Sequence, residues 1–144
     1  MRSKTSQWYE VTIAYDRVQE DGTQKRVSEK FVTEAETFTE AEASIIKETS
    51  MFGDVSVKGI VPQAYKEIFF SEKEDDDNFY KVKVAFITID EKTSKEKKSK
   101  VLYLVQAKTP DTALEYMKEV MNSSMIDYEL LSATETKIFD VFER

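Results

Sequence analysis

The chain has 144 residues, enough for one domain or two very small ones, and a net charge of −7 with 34% charged residues describes a well-solvated surface. Cysteine and histidine are both absent, which excludes disulfides, thiolate metal sites, a cysteine nucleophile, a Ser-His-Asp triad and the commonest general base. No apolar run approaches the ~20 residues that span a bilayer. The polar start Met1-Arg2-Ser3-Lys4-Thr5-Ser6-Gln7 is not a secretory signal, so a cytoplasmic setting without membrane association is expected.

Tyr9, Val11, Ile13 and Tyr15 alternate with Glu10, Thr12 and Ala14, which predicts a strand with one buried face. Glu20-Asp21-Gly22-Thr23 supplies turn chemistry, and a second strand over about 25–33 puts Val27, Phe31 and Thr33 on one side. Thr37 and Glu40 have capping-box spacing at the start of a helix. Ala41, Ile45 and Phe52 share its apolar face, and Gly53 ends it. Extended chain follows from Val55, Val57 and Ile60 to Ile68-Phe69-Phe70, with Pro62 dividing it into short pieces. Residues 71–78, dominated by Glu72, Glu74, Asp75, Asp76 and Asp77, read as a solvated linker.

The same order of elements then returns. Strands over 80–89 and 99–107 flank a lysine-rich turn. Val101, Tyr103 and Val105 fill one face of the later strand, and Leu102 and Leu104 the other, as in a central strand covered on both sides. Thr109 caps a helix with Pro110 at its first position, and Ala113, Met117, Val120 and Met121 share a face. Tyr128, Leu130 and Leu131 lead to Ile138-Phe139-Asp140-Val141-Phe142, which reads as an edge strand or an interaction tail, the strand being preferred.

Aligned directly, Trp8-Tyr9-Glu10-Val11-Thr12-Ile13-Ala14-Tyr15 echoes Phe79-Tyr80-Lys81-Val82-Lys83-Val84-Ala85-Phe86 at an offset of 71. The offset holds to Ser28 with Ser99, becomes 72 at Ala35 with Ala107, and 73 at Asp54 with Asp127. A duplicated unit constrains architecture more firmly than local propensity does. The expected fold is therefore α+β: two tandem β-β-α-β repeats with pseudo-twofold symmetry, packed as one unit. The first repeat covers 1–70, an acidic linker 71–78, and the second repeat 79–144. Each copy alone is small enough for a marginal core.

Several blocks stand in a distinctive order: Trp8-Tyr9-Glu10-Val11, Glu20-Asp21-Gly22-Thr23, Phe38-Thr39-Glu40-Ala41-Glu42-Ala43, Glu67-Ile68-Phe69-Phe70-Ser71, Tyr103-Leu104-Val105-Gln106-Ala107 and Asp140-Val141-Phe142. They resemble a family of small uncharacterised proteins of Bacteroidota and the phages that infect them, over essentially the whole chain. The resemblance implies a cytoplasmic protein linked to a phage or mobile element. It implies no activity, cofactor or catalytic residue.

The residues offer three constellations. Asp75-Asp76-Asp77 has carboxylates for a hard cation, but adjacent side chains diverge and no glycine follows at calcium-loop spacing, so no metal site is expected. Lys92, Lys95, Lys97, Lys98 and Lys100 crowd one hairpin and can contact phosphates or simply solubilise it. Neither half is strongly basic, with 9 basic against 12 acidic residues in 1–70 and 11 against 11 in 79–144. Trp8 and Phe79 open the two first strands on the face opposite the core pattern. They either pack inside or, with Lys81 and Lys83, anchor a partner. Glycines at 22, 53 and 59 match no phosphate-binding loop. The functional expectation is a non-enzymatic, cofactor-free binding module with a protein partner first, nucleic acid second, and a hydrolase or transferase a distant third. Oligomeric state is left open.

Overall fold

The computed structural model describes all of residues 1–144. In chain order it forms β1 (Arg2–Lys4), β2 (Trp8–Val18), β3 (Gln24–Glu34), α1 (Phe38–Glu48), a 3-10 turn (Ser50–Phe52), β4 (Ser56–Gln63) and β5 (Tyr65–Phe70). These are followed by β6 (Asn78–Ile89), β7 (Glu96–Ala107), α2 (Pro110–Asn122), β8 (Asp127–Glu135) and β9 (Ile138–Phe142). The molecule is mixed α+β with two sheets.

Contacts divide the chain into two units that do not follow its linear halves. Unit 1 comprises Met1–Thr5 and Tyr65–Thr136; unit 2 comprises Ser6–Ala64 and Lys137–Arg144. The boundary expected at 71–78 is thereby corrected, because that segment joins β5 to β6 inside unit 1. β5 belongs with the second half of the chain, and β9 belongs with the first.

Unit 1 holds a five-stranded sheet in the order β1-β5-β7-β6-β8. β7 is its centre, which explains why it is apolar on both faces. Tyr103 and Val105 pack with Val82, Val84, Ala113 and Met117 in the core under α2. Leu104, on the opposite face, is fully buried, whereas Leu102 is half-buried. β6 and β7 are antiparallel, but β5 joins β7 in parallel. A parallel neighbour cannot arrive through a tight turn, so β5 reaches β7 from a distant point in the chain.

Unit 2 holds a four-stranded sheet in the order β4-β2-β3-β9. Tyr9, Val11, Ile13, Tyr15 and Phe31 form its core with Ala41 and Ile45 of α1. β9 lies parallel to β3, pairing Val141 with Val32 and Phe142 with Thr33. The stretch from Val55 to Phe70 does divide into two strands, β4 and β5, but the break falls at Ala64 and Pro62 lies within β4. β4 is an edge strand in which Pro62 pairs with Tyr9, and an edge tolerates a residue without an amide hydrogen. β9 is a strand and not a tail.

The helix starts follow their capping residues. Thr37 Oγ1 accepts from Glu40 N–H at 3.1 Å, and the Glu40 carboxylate accepts from Glu36 N–H at 3.0 Å. Thr109 Oγ1 accepts from Thr112 N–H at 3.1 Å, with Pro110 at the first turn. α1 stops at Glu48, and Gly53 ends the 3-10 turn after it, with φ of 82°. That left-handed conformation favours glycine.

The strand ends are held by side-chain amide or carboxylate oxygens. Glu34, buried at the end of β3, accepts from Ser6 Oγ at 2.6 Å and from Arg144 N–H at 2.8 Å. At the end of β7, Gln106 Oε1 accepts from Ser71 N–H at 2.9 Å.

Candidate interaction surface

Trp8 and Phe79 lie where the alternation put them, on the faces away from α1 and α2, but they are only 1% and 3% exposed. An anchor must show surface before its partner arrives. The anchoring role gives way to packing for both residues. Of the lysines named with them, Lys83 is exposed and Lys81 half-buried, the latter with its ammonium 6.0 Å from the Tyr65 ring.

The hairpin lysines Lys92, Lys95, Lys97, Lys98 and Lys100 are all exposed. They do not form one basic face. Alternation sends Lys98 and Lys100 to the side of β7 away from α2, and Lys97 to the other. Lys98 is 3.4 Å from Glu129, while Glu96 and Asp127 occupy the same face as Lys98 through their pairing with Ile89 and Ile87. Charges interspersed in this way focus less field on a polyanion than a single basic face does.

The acidic segment is ordered at one point. Asp76 is buried and accepts hydrogen bonds from Ser71 Oγ and from Tyr116 Oη, the latter at 2.6 Å. Lys73 N–H reaches Ser71 Oγ at 3.1 Å, and its ammonium stands 6.0 Å from the Tyr116 ring. The reading of 71–78 as wholly solvated is corrected here: Tyr116 of α2 selects one aspartate of three and ties the segment down. A pocket of about 460 Å³, lined partly by Ser71, Lys73, Tyr116 and Glu119, opens beside this cluster. Asp76, Ser71 and Tyr116 are occupied with one another, which gives the cluster a structural role.

Burial pushes the Asp76 carboxyl up, but hydrogen bonds from Ser71 and Tyr116 with the charge of Lys73 outweigh it, leaving the group below its ordinary value. The bond to Asp76 raises the Tyr116 phenol. A carboxyl depressed in the folded state binds fewer protons there than when unfolded. Its contribution is full above the unfolded value, about 3.9, and is lost as pH falls through the lower folded value. Denaturant titrations through the acid range should therefore give a flatter stability profile for Asp76→Asn than for the parent. Parallel profiles would contradict the bonded carboxylate.

The surface that alternation did not foretell is aromatic and belongs to unit 2. Phe139 is 54% exposed, yet its ring lies 5.5 Å from Phe31 and 6.4 Å from Phe52. Phe52 in turn stacks on Tyr15 at 4.6 Å. Met51, next in the chain, is 75% exposed. Phe139 is the extra residue at a register shift, between Ile138 opposite Lys30 and Asp140 opposite Phe31. Such bulges re-aim a side chain. The edge position and the shift were the information needed to find it, and neither is a local signal.

The fold and surfaces together define an α+β protein with two sheet-and-helix units. The chain belongs to the family described as Domain of unknown function (DUF4494), whose profile matches residues 7–144. Comparisons with curated proteins and with solved structures find no match.

Proposed function

We propose that the chain is a non-enzymatic binding module for a protein partner, anchored by the ridge of Phe139, Phe52 and Met51. The carrying observation is the exposure of Phe139 over an aromatic stack. One side of the Phe139 ring packs on Phe31 and Phe52 while the rest faces solvent beside exposed Met51, and aromatic side chains presented in this way dominate interface energetics. The bulge itself does not demand one: between β5 and β7 of unit 1 the corresponding extra residue is Lys66. Unit 2 carries 13 acidic against 8 basic residues, and Asp140 is the exposed neighbour of Phe139, so the partner surface is apolar with a basic rim. A phage- or mobile-element setting in the cytoplasm belongs to this reading and makes bacterial machinery the first partner to seek.

The same reading takes the chain as two tandem β-β-α-β repeats whose closing strands are exchanged. Support comes from bonds that recur at the sequence offsets. Tyr9 Oη donates to Glu36 O at 3.3 Å, and Tyr80 Oη to Lys108 O at 3.1 Å. The Glu34–Arg144 and Gln106–Ser71 bonds correspond in the same way. Register shifts recur as well, at Lys58 against β2 and Leu131 against β6. On this reading the first change of offset belongs to the hairpin turns, which run over 19–23 and 90–95 and differ in length by one residue. This is earlier than the Ser28–Ser99 alignment suggests.

The test is capture from nuclease-treated bacterial lysate, followed by affinity measurement with the purified captured protein. Phe139→Ser should weaken affinity by about 2 kcal/mol or more, roughly thirty-fold. Changing Lys95, Lys97 and Lys98 together to glutamate should leave it unchanged. The reading fails if binding needs nucleic acid and disappears only in the glutamate variant.

A further inference from the structure

We propose that β9 is an exchangeable strand, and that the site it fills beside β3 accepts β9 of a second copy of this chain. The site is built for an extended segment of one pattern. Ile138 and Val141 are buried there, and the Phe142 ring stacks on Phe31 at 5.3 Å. The strand end is fixed by Arg144 N–H donating to the buried Glu34 carboxylate at 2.8 Å. The Arg144 guanidinium adds contacts to Glu40 at 3.2 Å and Glu36 at 3.5 Å.

Two features distinguish β9 from β5, the other strand that pairs in parallel with a distant hairpin. β5 continues at both ends into ordered chain and is flanked by β1 on its far side. β9 pairs with β3 alone at the edge of its sheet, and only Thr136 and Lys137 join it to β8. It can therefore leave without dismantling any other pairing. A β9 from a second copy would restore every contact just named, so exchange costs mainly the entropy of association and the barrier to release.

The absence of native cysteine makes exchange directly readable. Val32 and Val141 are parallel register partners, at the separation of neighbouring strands, which is within the about 4.4–6.8 Å between Cα atoms that a disulfide spans. Full-length Val32→Cys and Val141→Cys chains would be mixed at high concentration, given a brief pulse of mild denaturant, returned to buffer and oxidised. The expected product is a covalent dimer of twice the chain mass that needs both variants and disappears on reduction. The double variant in one chain, never pulsed, should form the bond internally and so verifies the register. Light scattering on the unsubstituted chain after the same pulse should show a dimer fraction that grows with concentration. An internal bond in the double variant, with no mixed dimer and no pulse-induced dimer of the parent, would overturn the proposal. If the single variants fail to refold, the parent measurement alone decides: a dimer fraction supports exchange and its absence rejects it.

Discussion

Leu104→Ala is expected to lower the unfolding free energy by about 2–5 kcal/mol. Leu104 sits in β7, the central strand of its sheet, and is completely buried. Its neighbours across the strands, Lys81 of β6 and Ile68 of β5, are held by ladders on both sides. Such a site collapses poorly when methylenes are removed, so a cavity term adds to the lost transfer energy. Leu102→Ala, two residues earlier on the same face but half-buried, should cost less. Denaturant titration of both variants checks the ranking. A Leu104→Ala loss below about 0.5 kcal/mol would mean the strand does not occupy the sheet centre, since surface truncations stay within roughly that range.

Much of the fold was legible because it is encoded locally. Alternation at Tyr9, Val11, Ile13 and Tyr15, and again at Val82 and Val84, marks the strand faces that pack under the helices. Thr37 and Thr109 mark helix starts through a hydroxyl and an amide three residues apart. The apolar character of both β7 faces announced a central strand. Pairing partners were not legible. Nothing in Tyr65–Phe70 names β7, because a parallel contact across distant chain leaves no turn signature.

The candidate site was less legible, for reasons specific to each residue. Alternation gives the faces of Trp8 and Phe79, but whether a face is covered depends on chain elsewhere, and both are buried. Asp75, Asp76 and Asp77 are chemically identical, and Tyr116, 40 residues away, decides which one is buried. The exposure of the hairpin lysines follows from their place at a polar turn, while the acids interspersed among them arrive partly from β8. Phe139 follows from a register shift that period-two reasoning cannot contain.

The largest effect is expected when the two halves of the chain are separated. Residues 1–73 contain β1 to β5 and lack the β7 that β5 needs; residues 77–144 contain β6 to β9 and lack the β3 that β9 needs. A half chain must order its backbone while one strand of its sheet has no parallel partner, and at this size the apolar area buried does not offset that entropy. The decisive measurement is the amide NMR spectrum of each half expressed alone and of the two mixed in equal amounts. The account predicts poorly dispersed spectra for the separate halves and a dispersed spectrum, like that of the whole chain, for the mixture. Two well-dispersed spectra from stable monomeric halves would contradict it.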